Sequence, residues 1–211
     1  MKKSNSKSKA LGAFWNLGAV ALITATIFFV ACKQTGGGGG GGGKQGAPFV
    51  EGGASLILSP DNLTIKVKAK TADGSAITVE GCKETTLASE AETTLTATGT
   101  TVILKGNITE LFCGGNKLTS LNVQDLTALQ RLYCPGNQLN AQAMTKLLNA
   151  LPTREASDGA KAILYAEMAS ITEGNCKDFT QSEDLKKAVE GAKSRSWKLH
   201  KLNASGDPEG I

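Results

Sequence analysis

The sequence predicts an α/β fold, a short solenoid of repeats closed by two caps of different make. Three observations predict it: an internal repeat offset by 21 residues, alternating strand-like segments before it, and helix-period segments after it. In the repeat, Ile108 falls on Leu129, Leu111 on Leu132, Phe112 on Tyr133 and Cys113 on Cys134. Gly115 falls on Gly136, Asn116 on Asn137 and Leu118 on Leu139. The shared frame, L-x-x-L-x-C-x-x-N-x-L, is the leucine-rich repeat signature. Leu111 and Cys113, like Leu132 and Cys134, stand two apart, so each pair points to one face of a short strand. The asparagine is expected to turn inward at the bend, where its amide satisfies backbone groups of neighbouring coils. Leu118, Leu121 and Leu126 then fill the returning arc. Two repeats, in 108–151, fall short of the ~3 that a solenoid core normally needs, so the flanks must supply the rest.

The N-terminal flank, 51–107, reads as a β cap. Its strands are Leu56–Leu58, Leu63–Lys70 (LTIKVKAK, alternating), Ile77–Val79, Thr93–Ala97 and Val102–Leu104. Asp73-Gly74 is a hairpin-turn signal between the second and third. The C-terminal flank differs. Asn140 can cap a helix running to Leu151, with Met144, Leu147, Leu148 and Leu151 on one face and Pro152 as a stop. In 152–202 a strand Ala162–Tyr165 precedes a second helix. That helix is opened by a Thr180-Gln-Ser-Glu183 capping box and carries an apolar stripe of Leu185, Ala188, Val189 and Ala192. A last strand follows from Trp197 to Lys201. This strand-helix-strand-helix-strand order is expected to extend one parallel sheet, and residues 203–211 read as a disordered tail. The predicted fold is therefore α/β: a short leucine-rich repeat solenoid between an N-terminal β-strand cap and a C-terminal strand-helix-strand-helix-strand cap.

Residues 1–50 read as an address and a tether. Lys2, Lys3, Lys7 and Lys9 precede an apolar run from Leu11 to Ala31, the layout of a secretory signal in 1–31. Phe29-Val30-Ala31-Cys32 resembles a bacterial lipobox, with a small residue before the cysteine and Phe29 where the usual pattern carries Leu. Cys32 is thus the expected lipidation site. The same run is also long enough to span a ~30 Å hydrocarbon core as an uncleaved anchor. Residues 32–50 then hold eight consecutive glycines, Gly36 to Gly43, a flexible coil suited to standing a folded part off a bilayer. A single acyl chain holds only marginally, and two or more anchor stably.

Charge follows the same division. The formal +4 comes from 23 basic and 19 acidic residues, and four of the basic ones lie in residues 1–31 with no acid. The chain from Cys32 onward is formally neutral, so the charge belongs to export and nucleic acid is not an expected partner. A single histidine, His200, excludes a multi-His metal site within one chain, and its place in a terminal strand reads as a surface residue rather than a catalytic base. No Gly-x-Ser-x-Gly, P-loop, His-Glu-x-x-His or EF-hand loop occurs, and no C-x-x-C pair. No enzyme activity, metal, small-molecule substrate or cofactor beyond the covalent lipid is expected.

In a repeat of this kind the residues alternating with the inward leucines face the concave sheet surface. These are Glu110, Phe112, Arg131 and Tyr133, continued by Lys161, Ile163, Tyr165, Lys198 and His200. Two aromatics beside an Arg and a Glu match what protein interfaces enrich, so Glu110, Phe112, Arg131, Tyr133 and Tyr165 are the expected protein-binding residues. A solvated aromatic ladder between adjacent strands is the plainer alternative. Cys113 and Cys134 occupy core positions as small hydrophobes. A bridge between strands ~4.8 Å apart would strain the ladder, so buried thiols are expected. Cys82 and Cys176 may be free or bridged, since spacing does not decide.

Cys-x-x-Asn-x-Leu-x-x-Leu-Asn-Val (113–123), Leu-Thr-Ala-Leu-Gln-x-Leu-x-Cys (126–134), Ser-Asp-Gly-Ala (157–160), Thr-Glu-Gly-Asn-Cys-Lys-Asp-Phe (172–179) and Trp-Lys-Leu (197–199) resemble treponeme-type (spirochaete) surface leucine-rich repeat lipoproteins. The likeness runs from about residue 63 to 202, together with the signal. It implies a protein lipid-anchored in the bacterial cell envelope, in the outer membrane and exposed at the surface. Larger relatives act in attachment to host cells or to other bacteria. The alternative in a different class is an envelope scaffolding lipoprotein without an external ligand.

Overall fold

The computed structural model describes residues 46–211. The expected signal peptide of 1–31, the expected lipidation site Cys32 and the glycine run lie outside the described residues. Over 46–211 the chain forms twelve β-strands in two sheets and two α-helices.

Five strands form one antiparallel sheet: β1 (Gly53–Leu58), β3 (Ile77–Glu80), β4 (Thr86–Leu87), β6 (Thr101–Lys105) and β8 (Leu118–Asn122), in the order β4-β3-β6-β1-β8. The other seven are β2 (Thr64–Thr71), β5 (Glu92–Thr96), β7 (Ile108–Phe112), β9 (Arg131–Tyr133), β10 (Lys161–Ala166), β11 (Lys198–Leu202) and β12 (Pro208–Gly210). They lie in the order β12-β11-β10-β9-β7-β2-β5. In this second sheet β7, β9, β10 and β11 run parallel; β2 and β12 pair antiparallel with the two outer ones, and β5 pairs antiparallel with β2. Helix α1 (Ala141–Ala150) lies against β8, and α2 (Glu183–Ser194) lies against α1.

Period-2 patterning places the strands. In β2, Ile65, Val67 and Ala69 are buried while Lys66 and Lys68 are exposed, so one face meets apolar neighbours and the other meets water. One apolar cluster joins Leu56, Leu104 and Leu121 of the first sheet to Ile65, Leu111 and Leu132 of the second and to Met144, Leu147 and Leu185 of the helices.

This arrangement overturns the predicted α/β leucine-rich repeat solenoid with caps at its two ends. The molecule is mostly β-sheet, and parallel pairing is confined to four strands of a mixed sheet. Two physical reasons stand out. Leu118 to Asn122, expected as a returning arc, form β8 and hydrogen-bond antiparallel to β1. The 51–107 segment does not close one end, because its strands alternate between sheets: β1, β3, β4 and β6 in one, β2 and β5 in the other. Asp73-Gly74 accordingly turns the chain from one sheet to the other and closes no hairpin. The residues of 203–211 are not a disordered tail. Asn203 Oδ1 accepts from the backbone N–H groups of Ser205 (3.0 Å) and Asp207 (2.9 Å), forming a turn that returns β12 to β11. The cap of α2 is Ser182, not Thr180; Ser182 Oγ accepts from Leu185 N–H at 3.2 Å, while Thr180 donates to Asp178.

Candidate functional site

The solvent side of the seven-stranded sheet gathers most of the residues expected to bind a partner. Cross-strand register builds two rows across it. Lys68 of β2 pairs with Phe112 of β7, Phe112 with Tyr133 of β9, Tyr133 with Ile163 of β10, and Ile163 with His200 of β11. Two residues earlier on each parallel strand, and two later on antiparallel β2, run Lys70, Glu110, Arg131, Lys161 and Lys198. Such rows follow from parallel pairing without offset: repeat positions 21 apart become lateral neighbours, so like residues stack.

In the first row Phe112 and Tyr133 pack as a tilted pair, with ring centroids 6.0 Å apart and planes at 32°. Their side chains are half-buried against each other, a geometry that aromatic quadrupoles favour. Lys68 Nζ lies 5.7 Å from the Phe112 ring centroid, within cation–π range. The Tyr133 hydroxyl keeps its proton above the ordinary tyrosine range, because burial, then Glu173 and Cys134, disfavour the phenolate. It is therefore a neutral donor and acceptor at physiological pH.

In the second row Glu110 is half-buried and Arg131 is exposed beside it. Lys70 forms an ion pair with Glu90, which raises the lysine's pKa and lowers the glutamate's. Glu92 of β5 pairs with Lys66 at 3.7 Å.

Tyr165 is withdrawn from this face. A register shift between Ile163 and Tyr165 bulges β10 there, and the following loop folds back to set Phe179 with its ring centroid 6.0 Å from that of Tyr165. The tyrosine is only 7% exposed, and burial pushes its hydroxyl pKa up. The alternation rule used for its placement assumes an unbroken strand, and a bulge breaks it.

Behind the face, a column of buried asparagines holds the register. Asn137 Oδ1 accepts from the N–H groups of Asn116 and Leu118, both at 3.0 Å. Its Nδ2 donates to the carbonyls of Cys113 (3.0 Å) and Cys134 (2.9 Å). Asn116 makes the equivalent bonds to both backbone groups of Lys66 and to Cys113, joining β7 to β2. Asn175 is a third rung: it accepts from Leu139 N–H and donates to the carbonyls of Cys134 and Leu164. The repeat alignment does not reach Asn175, because a longer loop separates it from its strand. Its signal was the Gly-Asn dipeptide shared by Gly115-Asn116, Gly136-Asn137 and Gly174-Asn175. Glu173 was also unforeseen. Its carboxylate accepts from the N–H groups of Gly136, Ala166 and Asn175, pinning the loop to β9 and β10.

Cys82, Cys113, Cys134 and Cys176 are all free thiols, and Cys113 and Cys134 are buried in the core. Burial pushes the Cys113 pKa up to about 12 and that of Cys134 well above its ordinary value, so neither is a thiolate at neutral pH. Among the described residues no group of His, Cys, Asp and Glu is placed to hold a metal ion, and no helix is long and apolar enough to cross a membrane. No family model matches the chain, and neither does any curated protein or solved structure.

Proposed function

We propose that the protein is a lipid-anchored envelope lipoprotein that binds a protein partner on a host cell or on another bacterium. In this reading Cys32 carries the covalent lipid, the chain sits in the outer membrane facing outward, and the outer face of the seven-stranded sheet is the recognition surface. The N-terminal charge pattern, the apolar run, the cysteine after a small residue and the glycine run support the anchor. One observation carries the recognition surface: Phe112, Tyr133 and Ile163 stand side by side on the solvent face, flanked by Arg131 and Glu110. Aromatic anchors beside arginine are what interface cores enrich.

The chain enters the fold away from this face, which favours the reading. Ala47 N–H donates to Ser120 Oγ at 2.9 Å, and Asn122 Nδ2 donates to the Ala47 carbonyl at 3.3 Å, both on β8 of the other sheet.

The test is adhesion of beads bearing the mature protein to epithelial cells and to bacterial partners. Phe112→Ser combined with Tyr133→Ser should reduce adhesion to background while shifting the thermal midpoint by only a few degrees, since both side chains are half exposed. Equal adhesion by both proteins, each folded, would remove the face from function. The anchor is tested separately by the mass of the mature N-terminus and by proteolysis of intact cells. An unmodified Cys32, or full protection from protease, would contradict a surface lipoprotein.

A further inference from the structure

The second row on this face has a charge pattern that the fold alone does not explain. Arg131, Lys161 and Lys198 are lateral partners on three adjacent parallel strands, β9, β10 and β11. Strands lie ~4.8 Å apart, and like charges directly opposite each other destabilise a sheet. Other cations around this face have their charge answered. Lys66 pairs with Glu92 and Lys70 with Glu90, Lys201 pairs with both Glu167 and Glu209, and Lys68 sits over the Phe112 ring. Among the described residues none of Arg131, Lys161 and Lys198 forms an ion pair. Glu110 stands opposite Arg131 in the register, at the β7 end, and no acid stands opposite Lys161 or Lys198 in the register of β9, β10 and β11. The chain from Cys32 onward is formally neutral, so this is a local concentration of positive charge and not a general excess.

Resting on the reading of this sheet as a protein-binding face, we propose that the partner presents an acidic segment, with carboxylates seated on Arg131, Lys161 and Lys198 and apolar side chains on Phe112, Tyr133 and Ile163. Neighbouring outward residues on one strand lie ~6.6 Å apart, so the charged and apolar rows are within reach of a single extended or helical segment. A planar guanidinium with two flexible ammonium groups suits several carboxylates at different heights. The adjacent apolar row favours a polypeptide over a sulfated glycan, which has no aliphatic side chains to cover Ile163. Complementary charge of this sort chiefly accelerates association and selects the partner.

The experiment uses the mature protein in detergent with three probes: a random copolymer of Glu and Tyr, one of Lys and Tyr, and heparin. The expected result is binding of the Glu–Tyr copolymer, weakened roughly tenfold between ~50 and ~200 mM salt, with little binding of the Lys–Tyr copolymer. Lys161→Glu places an acid between Arg131 and Lys198. It should raise the thermal midpoint by relieving repulsion, yet weaken the Glu–Tyr copolymer about tenfold, a combination that a purely structural role would not produce. Unchanged affinity for that copolymer in folded Lys161→Glu would overturn the proposal. So would heparin binding that falls in Lys161→Glu while copolymer binding does not, which would assign the cations to a glycan. The two readings fail differently. If Phe112→Ser with Tyr133→Ser weakens both copolymers equally and Lys161→Glu weakens neither, the acidic partner is lost and the binding face stands. If that double variant changes no ligand, the protein-binding face itself is lost.

Discussion

Asn137 shows how much one side chain does in this molecule. It is 1% exposed and makes four hydrogen bonds with groups that have no route to water. Asn137→Ala leaves two N–H groups and two carbonyls short of partners. At about 1–3 kcal/mol for a buried group left unsatisfied, and with some relaxation, a loss of roughly 3 kcal/mol or more is expected in urea unfolding. A loss below about 1 kcal/mol would show that the column does not hold the register. Asn116 and Asn137 were legible in the sequence because their repeat spacing is regular; Asn175 was not, because its loop is longer. Phe112 and Tyr133 were legible as a pair for the same reason. Tyr165 was misplaced because a bulge shifts the alternation on which its position rested.

The buried thiols make stability fall on the alkaline side. Cys113 holds its proton up to about 12 in the folded protein against 9.0 as an ordinary thiol, and Cys134 is shifted the same way. Above pH 9 the unfolded chain binds fewer protons than the folded one, so stability falls as pH rises. The contribution is complete below pH 9 and is lost progressively towards pH 12. Replacing both cysteines with Ala should flatten that alkaline decline, though at a cost in stability at every pH from lost packing. An equally steep decline in the double variant would assign it to other groups.

At the scale of elements, strands with strong alternation or an apolar run were readable: β1, β2, β3, β5 and β6 all fall where the pattern puts them. Which sheet each one joins was not readable, because alternation reports a buried face and says nothing about the partner strand. β8 was missed because Leu-Thr-Ser-Leu-Asn serves equally as a solenoid arc, and pairing with distant β1 decides between the two. β12 was missed because polar, glycine-containing ends normally stay loose, and here the Asn203 side chain closes a turn instead. Deleting 203–211 would remove the β11–β12 ladder and Ile211, which packs against the core. The expected loss is about 1–3 kcal/mol, with β11 becoming an exposed edge prone to association. Unchanged denaturant stability would mean that β12 is an ornament of the sheet.

At the scale of the whole molecule, one apolar cluster spans both sheets and both helices, so neither the 51–107 strands nor the repeat segment owns a core of its own. The 21-residue repeat was legible, but the fold class inferred from it was not the one adopted. Long-range antiparallel pairing draws the repeat strands into a mixed sheet. What survives is the lateral stacking of like positions, and with it a face carrying aromatics in one row and cations in the next. The central claim is that this face meets the partner. Site-specific photo-cross-linking tests it most directly, with benzoylphenylalanine at position 133 on the sheet or at position 190 on exposed α2. Attachment to target cells should yield an adduct from position 133 that excess unmodified protein suppresses, and none from position 190. Equal yields from both positions, or an adduct from position 190 alone, would contradict the account.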